Sequence, residues 1–133
     1  MVLNERLRRE VEKILPESQA GFREGRGTID HVYTLNYIVE KRIQKQGGKT
    51  IAFFADCTAA FDTIDREILW KILEENKVNK YLIKRCQEVY EETINVVRVG
   101  SKTSEKFWTE KGVRQGCPMS PTLFAAYISQ VDK

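Results

Sequence analysis

The feature that most constrains the fold of this sequence is a single short apolar run, Ile51–Ala55, which ends at Asp56. A continuous run of this length and composition is typical of a strand that is covered on both faces. A covered strand normally pairs with a neighbour on each side. The other strand candidates, Ile94–Gly100 and Glu105–Val113, are predicted to form one exposed hairpin around a loop at Ser101–Ser104. The sequence therefore predicts a sheet that is incomplete.

Helical periodicity accounts for most of the remaining chain. Apolar residues recur at helical spacing among charged ones, and Pro16 ends the first such pattern. Thr28, Asp65 and Ser120 are placed to cap later helices. The helices are predicted over Leu3–Leu15, Thr28–Ile43, Asp65–Asn76, Lys80–Glu91 and Ser120–Ile128. Together with the few strands, this pattern predicts one α+β unit over residues 1–133, with helices packed around a small antiparallel sheet.

Length and composition exclude several classes of protein. A chain of 133 residues fits one domain and is too short for a complete polymerase. Its net charge of +3 tolerates an anionic partner but is modest for a dedicated nucleic-acid-binding module. Three widely spaced cysteines and a lone His31 provide neither a disulfide framework nor a Cys/His zinc site. This cysteine pattern leads us to expect a reducing, intracellular setting, in the cytoplasm or nucleus. The sequence also contains no apolar run of membrane-spanning length and no signal peptide.

Asp56 is the first candidate for chemistry. A carboxylate at the end of a buried strand is held rigidly, which suits the binding of a hard divalent cation beside phosphates. The alternative is that Asp56 merely caps the turn that follows. Asp62, six residues further on, would point away from Asp56 on a continuous helix, so a second carboxylate ligand would have to come from elsewhere.

Two other segments are candidates for contact with phosphates. In Gly112–Pro121, glycines, prolines and a helix start expose backbone N–H groups beside Arg114 and Gln115, which suits contacts with phosphate, ribose or a nucleic acid. The alternative is an ordinary turn between a strand and a helix. In the loop QAGFREGRG, Arg23 and Arg26 are suited to a phosphate backbone, and a solvated loop is the alternative.

In this order, three segments resemble one family, the reverse transcriptases of non-LTR retrotransposons, which are related to group II intron maturases. The segments are LPESQAGFREGRGTIDHV, FADCTAAFDTIDRE and GVRQGCPMSPTLFAAYI, and the match runs from about Leu15 to Ile128. The resemblance implies an incomplete right-hand polymerase fold. Its parts are a helical fingers part at 1–48, a palm strand with the catalytic aspartate at 49–66, helices and a fingers hairpin at 67–117, and a palm helix at 118–133.

The resemblance also implies roles for individual residues. Asp56 matches the first metal-binding catalytic aspartate of the palm, with the backbone carbonyl of Cys57 as a further ligand for Mg²⁺ or Mn²⁺. Phe61, five residues after that aspartate, matches the steric gate that crowds a ribose 2′-hydroxyl and so favours deoxynucleotides. Gln115 and Gly116 match the pair that lines the incoming nucleotide.

Arg23 and Arg26 match the fingers segment that approaches the template backbone.

The sequence departs from the family in three places. Residues 57–59 differ from the hydrophobic or lysine-containing stretch of many relatives, although Asp56 is retained. The family's downstream hairpin, with an aromatic residue followed by two aspartates, has no counterpart in this sequence. The same is true of the family's upstream arginine-containing segment, which grips the triphosphate.

The predicted function is that of a fingers and partial-palm fragment of an RNA-directed DNA polymerase. The parent would extend a DNA primer on an RNA template with deoxynucleoside triphosphates (dNTPs) by a two-metal mechanism, and the isolated chain is expected to be inactive. The alternative is a non-catalytic remnant that binds nucleic acid, or that self-associates through the uncovered strand edge or the apolar face of the last helix. A phosphohydrolase built on Asp56 would need a second acidic cluster, which the sequence does not offer at a recognisable spacing.

Overall fold

The computed structural model describes residues 2–91 and 93–130. The chain forms two compact units, one made of residues 1–15 together with 59–133 and the other of residues 16–58. The α+β class is confirmed, and each of the five predicted helices is present. The helices are α1 Val2–Glu12, α2 Thr28–Ile43, α3 Arg66–Glu75, α4 Lys80–Glu91 and α5 Ser120–Ile128, and the strands are β1 Ile94–Asn95, β2 Arg98–Val99, β3 Lys102–Thr103 and β4 Phe107–Trp108.

The core of the larger unit is helical. Helices α1 and α3 each pack against both α4 and α5. The most deeply buried apolar side chains come from all four helices and include Leu7, Leu69, Leu73, Ile83 and Leu123. Burial of each such side chain contributes about 1.5–3 kcal/mol. The prediction that the helices pack around a small sheet was therefore wrong, because the described strands are exposed and the helices bury their apolar stripes against one another.

The packing of α5 also corrects the prediction of an uncovered face on the last helix. Its residues Leu123, Ala125 and Ala126 are buried in the core that α5 shares with α1 and α3. The apolar face of α5 is thus already occupied within the larger unit. None of the helices in the described part of the chain is long and apolar enough to cross a membrane.

The helix starts agree in part with the predicted caps. The Asp65 carboxylate accepts hydrogen bonds from the backbone N–H groups of Glu67 at 3.0 Å and Ile68 at 3.2 Å, as an N-cap does. Ser120 is instead the first residue of α5, and Met119 is its N-cap. Thr28 likewise lies just inside α2, because Gly27 is the N-cap there.

The predicted hairpin is confirmed, with a tighter turn and an irregularity. Strands β1 and β4 pair antiparallel, as do β2 and β3, and the chain reverses at Gly100, whose φ of +61° suits glycine. Two residues separate β1 from β2 and three separate β3 from β4, so the return arm carries a bulge. Ser104 fills it, since its N–H donates to the Val97 carbonyl at 2.8 Å and its Oγ accepts from the Val97 N–H at 2.9 Å.

The smaller unit contains α2 and the segment that ends at Asp56. Helix α2 begins where the Asp30 carboxylate accepts a hydrogen bond from the Gly27 N–H at 2.7 Å. It buries none of its residues, and Ile29 and Tyr33 are among those exposed. The apolar periodicity therefore predicted the helix correctly, although its apolar side is only partly covered, with Leu35 and Val39 half-buried.

The prediction of a strand over Ile51–Ala55 was wrong. The structure has neither a strand nor a helix there, and the side chains of Ile51 and Phe53 are 96% and 91% exposed. A strand is stabilised by backbone pairing with a neighbour, and within the described residues no segment pairs with this one. The palm strand expected at 49–66 is absent for that reason, and with it the strand edge expected to mediate self-association.

A close backbone contact joins two distant parts of the larger unit. The N–H of Gly112 donates to the Ile64 carbonyl at 2.8 Å, and the N–H of Val113 donates to the Phe61 carbonyl at 2.8 Å. Gly112 has a φ of +82°, and a Cβ atom at this position would lie 2.8 Å from the backbone oxygen of Asp62. Glycine is required here for both its conformation and its lack of a side chain.

We predict that Gly112→Ala lowers the free energy of unfolding by about 2–4 kcal/mol, because it adds a steric clash to the strain of a positive φ. Gly116→Ala is the matched control, since Gly116 has a φ of +86° but nothing within 4 Å of an added Cβ. It should cost only about 1–2 kcal/mol. Urea unfolding followed by circular dichroism measures both variants, and equal losses would contradict the proposed clash.

The cysteines give a second prediction about the fold. Cys86 is 0% exposed, and burial raises the pKa of its thiol to about 11, whereas Cys57 is exposed. Because the thiolate is the reactive form, a maleimide at neutral pH should modify Cys57 rapidly and Cys86 only after unfolding. Peptide mapping by mass spectrometry measures the two rates. Similar rates in the folded chain would show that the helical core is not packed as described.

Candidate functional site

A groove in the larger unit brings together residues from two of the sequence motifs. Its volume is about 490 Å³. The groove lies between the turn before α3 and the segment that leads into α5. Its lining residues are Phe61, Arg114, Gln115, Gly116, Cys117, Ser120 and Pro121. Four of the residues singled out from the sequence therefore line one cavity, although more than 50 positions separate Phe61 from Arg114 along the chain.

Phe61 is held in place on one side of this groove. Its ring stacks on that of Phe124 in α5, with centroids 4.7 Å apart and an interplanar angle of 9°. Its carbonyl accepts the hydrogen bond from the Val113 N–H. The turn that contains Phe61 is closed by the Ala59 carbonyl, which accepts from the N–H groups of Asp62 and Thr63 at 2.9 and 3.1 Å. Backbone and side chain together fix the direction of the Phe61 ring.

The other side of the groove is a turn stabilised by buried polar groups. The Cys117 N–H and the Ser120 hydroxyl both donate to the Arg114 carbonyl, at 3.2 and 2.6 Å. A serine has a single hydroxyl proton, so the 3.1 Å contact between Ser120 Oγ and the Tyr90 hydroxyl has Tyr90 as its donor. Gly116, with a φ of +86°, gives the turn its left-handed residue.

Tyr90 connects this turn to the rest of the unit. The guanidinium groups of Arg66 and Arg114 lie 5.2 and 5.7 Å from the centre of its ring, within the range of cation–π attraction. Trp70 meets the same ring edge-on at 6.0 Å. Burial raises the pKa of Tyr90, and the hydrogen bond with Ser120 opposes part of that rise. Tyr90 therefore keeps its proton at neutral pH and serves as a donor.

A second cavity of about 610 Å³ shares Arg114 and Gln115 with the groove. Its lining includes three cationic side chains, Arg66, Lys111 and Arg114, and one carboxylate, Asp62. Hydroxyl and amide groups provide further polar lining at Thr93, Asn95 and Thr109. A polar cavity with an excess of positive charge is suited to an anionic group rather than to an apolar ligand.

Arg23 and Arg26, in the smaller unit, hydrogen-bond to their own loop. Arg23 donates to the carbonyls of Pro16 at 2.8 Å and Gln19 at 3.1 Å. Arg26 donates to the Glu17 carbonyl at 2.6 Å and forms an ion pair with the Glu17 carboxylate. The side-chain hydrogen bond from Arg26 to this carboxylate, together with the charge of Arg26, lowers the pKa of Glu17. These contacts give both arginines a structural role in shaping the loop.

His31 completes the same loop, because its Nε2 accepts a hydrogen bond from the Ala20 N–H at 3.3 Å. The described contact of His31, which is otherwise exposed, is therefore structural. Asp56 and Cys57 are exposed and lie in a stretch without helix or strand. Across residues 2–91 and 93–130, no three His, Cys, Asp or Glu side chains are grouped so that they could hold a metal ion. Asp56 and the Cys57 carbonyl therefore do not form a complete two-metal site within the described structure.

Two residues that organise the groove were missed by the sequence reasoning. Arg66 follows the predicted cap Asp65 and looks like an ordinary solvated arginine at a helix start. Tyr90 falls on the apolar stripe of α4 and looks like a core residue. The hydrogen-bond partners of Arg66 lie 24 to 46 positions away in the sequence, so no local pattern marks it.

Comparison with known proteins agrees with the three motifs. The family model described as reverse transcriptase (RNA-dependent DNA polymerase) matches residues 1–133. A Pol polyprotein described as retrovirus-related, from the type-1 retrotransposable element R2 of Popillia japonica, is 26% identical over 98% of this chain and 18% of its own length. A second protein of that name from the same organism is 26% identical over 79% of this chain and 17% of its length.

The transposon TX1 uncharacterized 149 kDa protein of Xenopus laevis is 23% identical over 92% of this chain. The chain spans between 9% and 18% of the length of these relatives. No solved structure matches it. Because the family model covers the whole sequence and the relatives are retrotransposon proteins, the resemblance is confirmed: the chain belongs to the reverse transcriptase family and is related to the enzymes of non-LTR retrotransposons.

Proposed function

We propose that this chain supplies the deoxynucleotide-binding groove of an RNA-directed DNA polymerase that extends a DNA primer on an RNA template. One observation supports this most directly: Phe61 and the Gln115–Gly116 pair line the same groove. These residues come from two separate motifs of the family, and the larger unit holds them together through its own helical core.

In this proposal Phe61 is the steric gate. Its ring is stacked on Phe124, so it cannot turn away from a bulkier sugar without losing that contact. A ribose 2′-hydroxyl that approached the ring would be crowded, whereas a deoxyribose would fit. Gln115 offers an amide donor and acceptor for the nucleotide, and Gly116 lets the nucleotide approach the backbone closely because it has no Cβ. Arg114 adds positive charge for a phosphate.

Reverse transcriptases generally use divalent metal ions, and we propose Mg²⁺ or Mn²⁺ with Asp56 and the Cys57 carbonyl as ligands from this chain. The described residues do not fit a complete site of this kind, because Asp56 is exposed and has no grouped acidic partners. Two ions held a few ångströms apart need several carboxylates. Within the described residues, the chain therefore provides the nucleotide-binding groove and only part of a metal site. We propose that residues 1–48 and 67–117 are fingers parts and that residues 49–66 and 118–133 are palm parts. The groove is then lined by residues of the fingers and of the palm.

A second candidate function is nucleic-acid binding without catalysis. It is favoured by the second cavity, where Lys111 and Arg114 place positive charge beside the groove; Arg66 adds its charge there, but its donors are already taken by neighbouring acceptors. Arg23 and Arg26 are weaker candidates for this role than the sequence predicted, since each already donates to carbonyls of its own loop. A strand of RNA or DNA could bind at the cationic cavity while the groove binds the nucleotide.

Nucleotide titration of the ¹⁵N-labelled chain tests the groove. A dNTP should shift the backbone amide signals of Gln115 and Gly116 more strongly than the matching ribonucleotide does. Phe61→Val should reduce the ratio of the two affinities by about tenfold, because it removes the ring that crowds the 2′-hydroxyl. The dissociation constants come from the concentration dependence of the shifts.

Phe107→Val is the matched control, because Phe107 is an exposed phenylalanine on the hairpin outside the groove. It should leave both affinities unchanged. Circular dichroism reports the folded fraction of each variant, so that a loss of the Phe124 contact is not mistaken for a loss of selectivity. An unchanged ratio in folded Phe61→Val would refute the gate, and shifts located elsewhere would refute the groove.

Primer extension tests the metal part of the proposal. The purified chain should show no template-dependent incorporation of dNTPs with Mg²⁺ or Mn²⁺, because one aspartate cannot hold two ions. Asp56→Asn is the paired variant, and a complete reverse transcriptase is the positive control for the assay. Incorporation by the chain that Asp56→Asn abolishes would show that the carboxylates of this chain are sufficient.

A further inference from the structure

Arg66, the first residue of α3, has an unusually large set of hydrogen bonds for one side chain. All five acceptors are neutral, four of them backbone carbonyls and one a hydroxyl, so this is not an ion pair. Nε donates to the Gly112 carbonyl at 2.8 Å, and Nη2 donates to the Lys111 carbonyl at 3.1 Å. Nη1 donates to Thr93 Oγ1 at 2.8 Å, to the Thr109 carbonyl at 2.9 Å and to the Tyr90 carbonyl at 3.3 Å.

The chemistry of this cluster specifies arginine. A guanidinium has five N–H donors in a rigid plane and no acceptor, which matches a ring of carbonyl oxygens. A lysine ammonium has three donors on a flexible stem and cannot reach the same set. Burial lowers the pKa of Arg66, Tyr90 opposes that effect and the charge of Arg114 adds to it, yet the group stays cationic at neutral pH. The cluster thus holds a charged donor against the end of the hairpin.

The backbone segment that carries three of these acceptors continues directly into the residues that line the groove. Arg66 holds the carbonyls at Thr109, Lys111 and Gly112, and the next residue, Val113, donates its N–H to the Phe61 carbonyl. Arg114 and Gln115 follow at once. Arg66 also stacks on the Tyr90 ring, and Tyr90 donates to Ser120, whose hydroxyl in turn fixes the Arg114 carbonyl. Two routes therefore run from one side chain to the nucleotide side of the groove.

We infer that Arg66 is a positioning residue that sets the backbone of residues 109–114 and, through it, the orientation of Arg114 and Gln115 toward the nucleotide. It does not touch the ligand itself in this role. The part of this inference that concerns the nucleotide rests on the proposed function, whereas the part that concerns the backbone does not.

Hydrogen exchange of the chain carrying Arg66→Lys tests the backbone part. The amides of Gly112 and Val113 should exchange about tenfold faster than in the wild type, because the carbonyls beside them lose their shared donor. The amide of Ile83, in the middle of α4, should exchange at nearly its original rate. Arg85→Lys is the matched control, since Arg85 stacks on Tyr81 at 5.0 Å and pairs with Glu88 on the exposed side of α4.

Nucleotide titration of the same variants tests the functional part. Arg66→Lys should weaken dNTP binding about tenfold and shrink the amide shift of Gln115, while Arg85→Lys leaves both unchanged. If the wild-type chain binds no nucleotide, the proposed groove fails, and the exchange result still decides whether Arg66 positions the backbone. Unchanged exchange at Gly112 and Val113 would overturn the inference, as would an equal acceleration of every amide, which signals general destabilisation.

Thr93→Val is the second variant, used if Arg66→Lys does not fold. It keeps the shape of the side chain and removes only the hydroxyl, which accepts from Arg66 and donates to the Thr109 carbonyl at 2.9 Å. The same local pattern should appear with about a threefold smaller effect, because four acceptors of Arg66 remain. Exchange at Gly112 and Val113 equal to the wild type in this folded variant would overturn the inference.

Discussion

The two backbone hydrogen bonds between residues 61–64 and 112–113 are the constraint on which the candidate site depends. They join the turn before α3 to the segment before α5, and they form only because Gly112 has no side chain to strike Asp62. With these bonds made, Phe61 and Gln115 lie close enough to line one cavity. The stacking of the Phe61 ring on the Phe124 ring adds a side-chain contact between the turn before α3 and helix α5. The groove is thus a consequence of how two distant turns are tied together.

The elements that the sequence predicted well are those whose stability is local. The α4 pattern, with apolar residues at helical spacing, gave the observed bounds of Lys80–Glu91, and the Asp65 cap formed as expected. The hairpin was also predictable, because both of its strands and its turn lie in one short segment. Ile51–Ala55 differs, because a strand needs hydrogen-bonding partners that composition cannot supply. An apolar run indicates that a segment can be buried as a strand when neighbouring strands pair with it. It does not indicate that such neighbours are present.

The same distinction explains which site residues were predictable. Phe61, Gln115 and Gly116 were identified by their positions in family motifs, and the structure places them together. Arg23 and Arg26 were identified by their charge and by a family motif, and neither reveals that carbonyls of the same loop already accept from them. Arg66 was not identified at all, because its role is defined by acceptors contributed by α4, the hairpin and the following turn. A residue whose function lies in several distant contacts has no signature in its immediate sequence.

The two proposed tasks of the chain have different structural support. The groove is built entirely within the larger unit, where a packed helical core and the Arg66 cluster fix it. Asp56 lies in an exposed stretch whose geometry would be fixed only by strand pairing that the described residues do not provide. Nucleotide selection by shape needs a rigid cavity, and that is present. Metal chemistry needs carboxylates held at fixed separation, so it depends on partners for the Ile51–Ala55 segment. In the proposed function, selection of the nucleotide and activation of its phosphate therefore depend on different parts of the chain, and the first does not require the second.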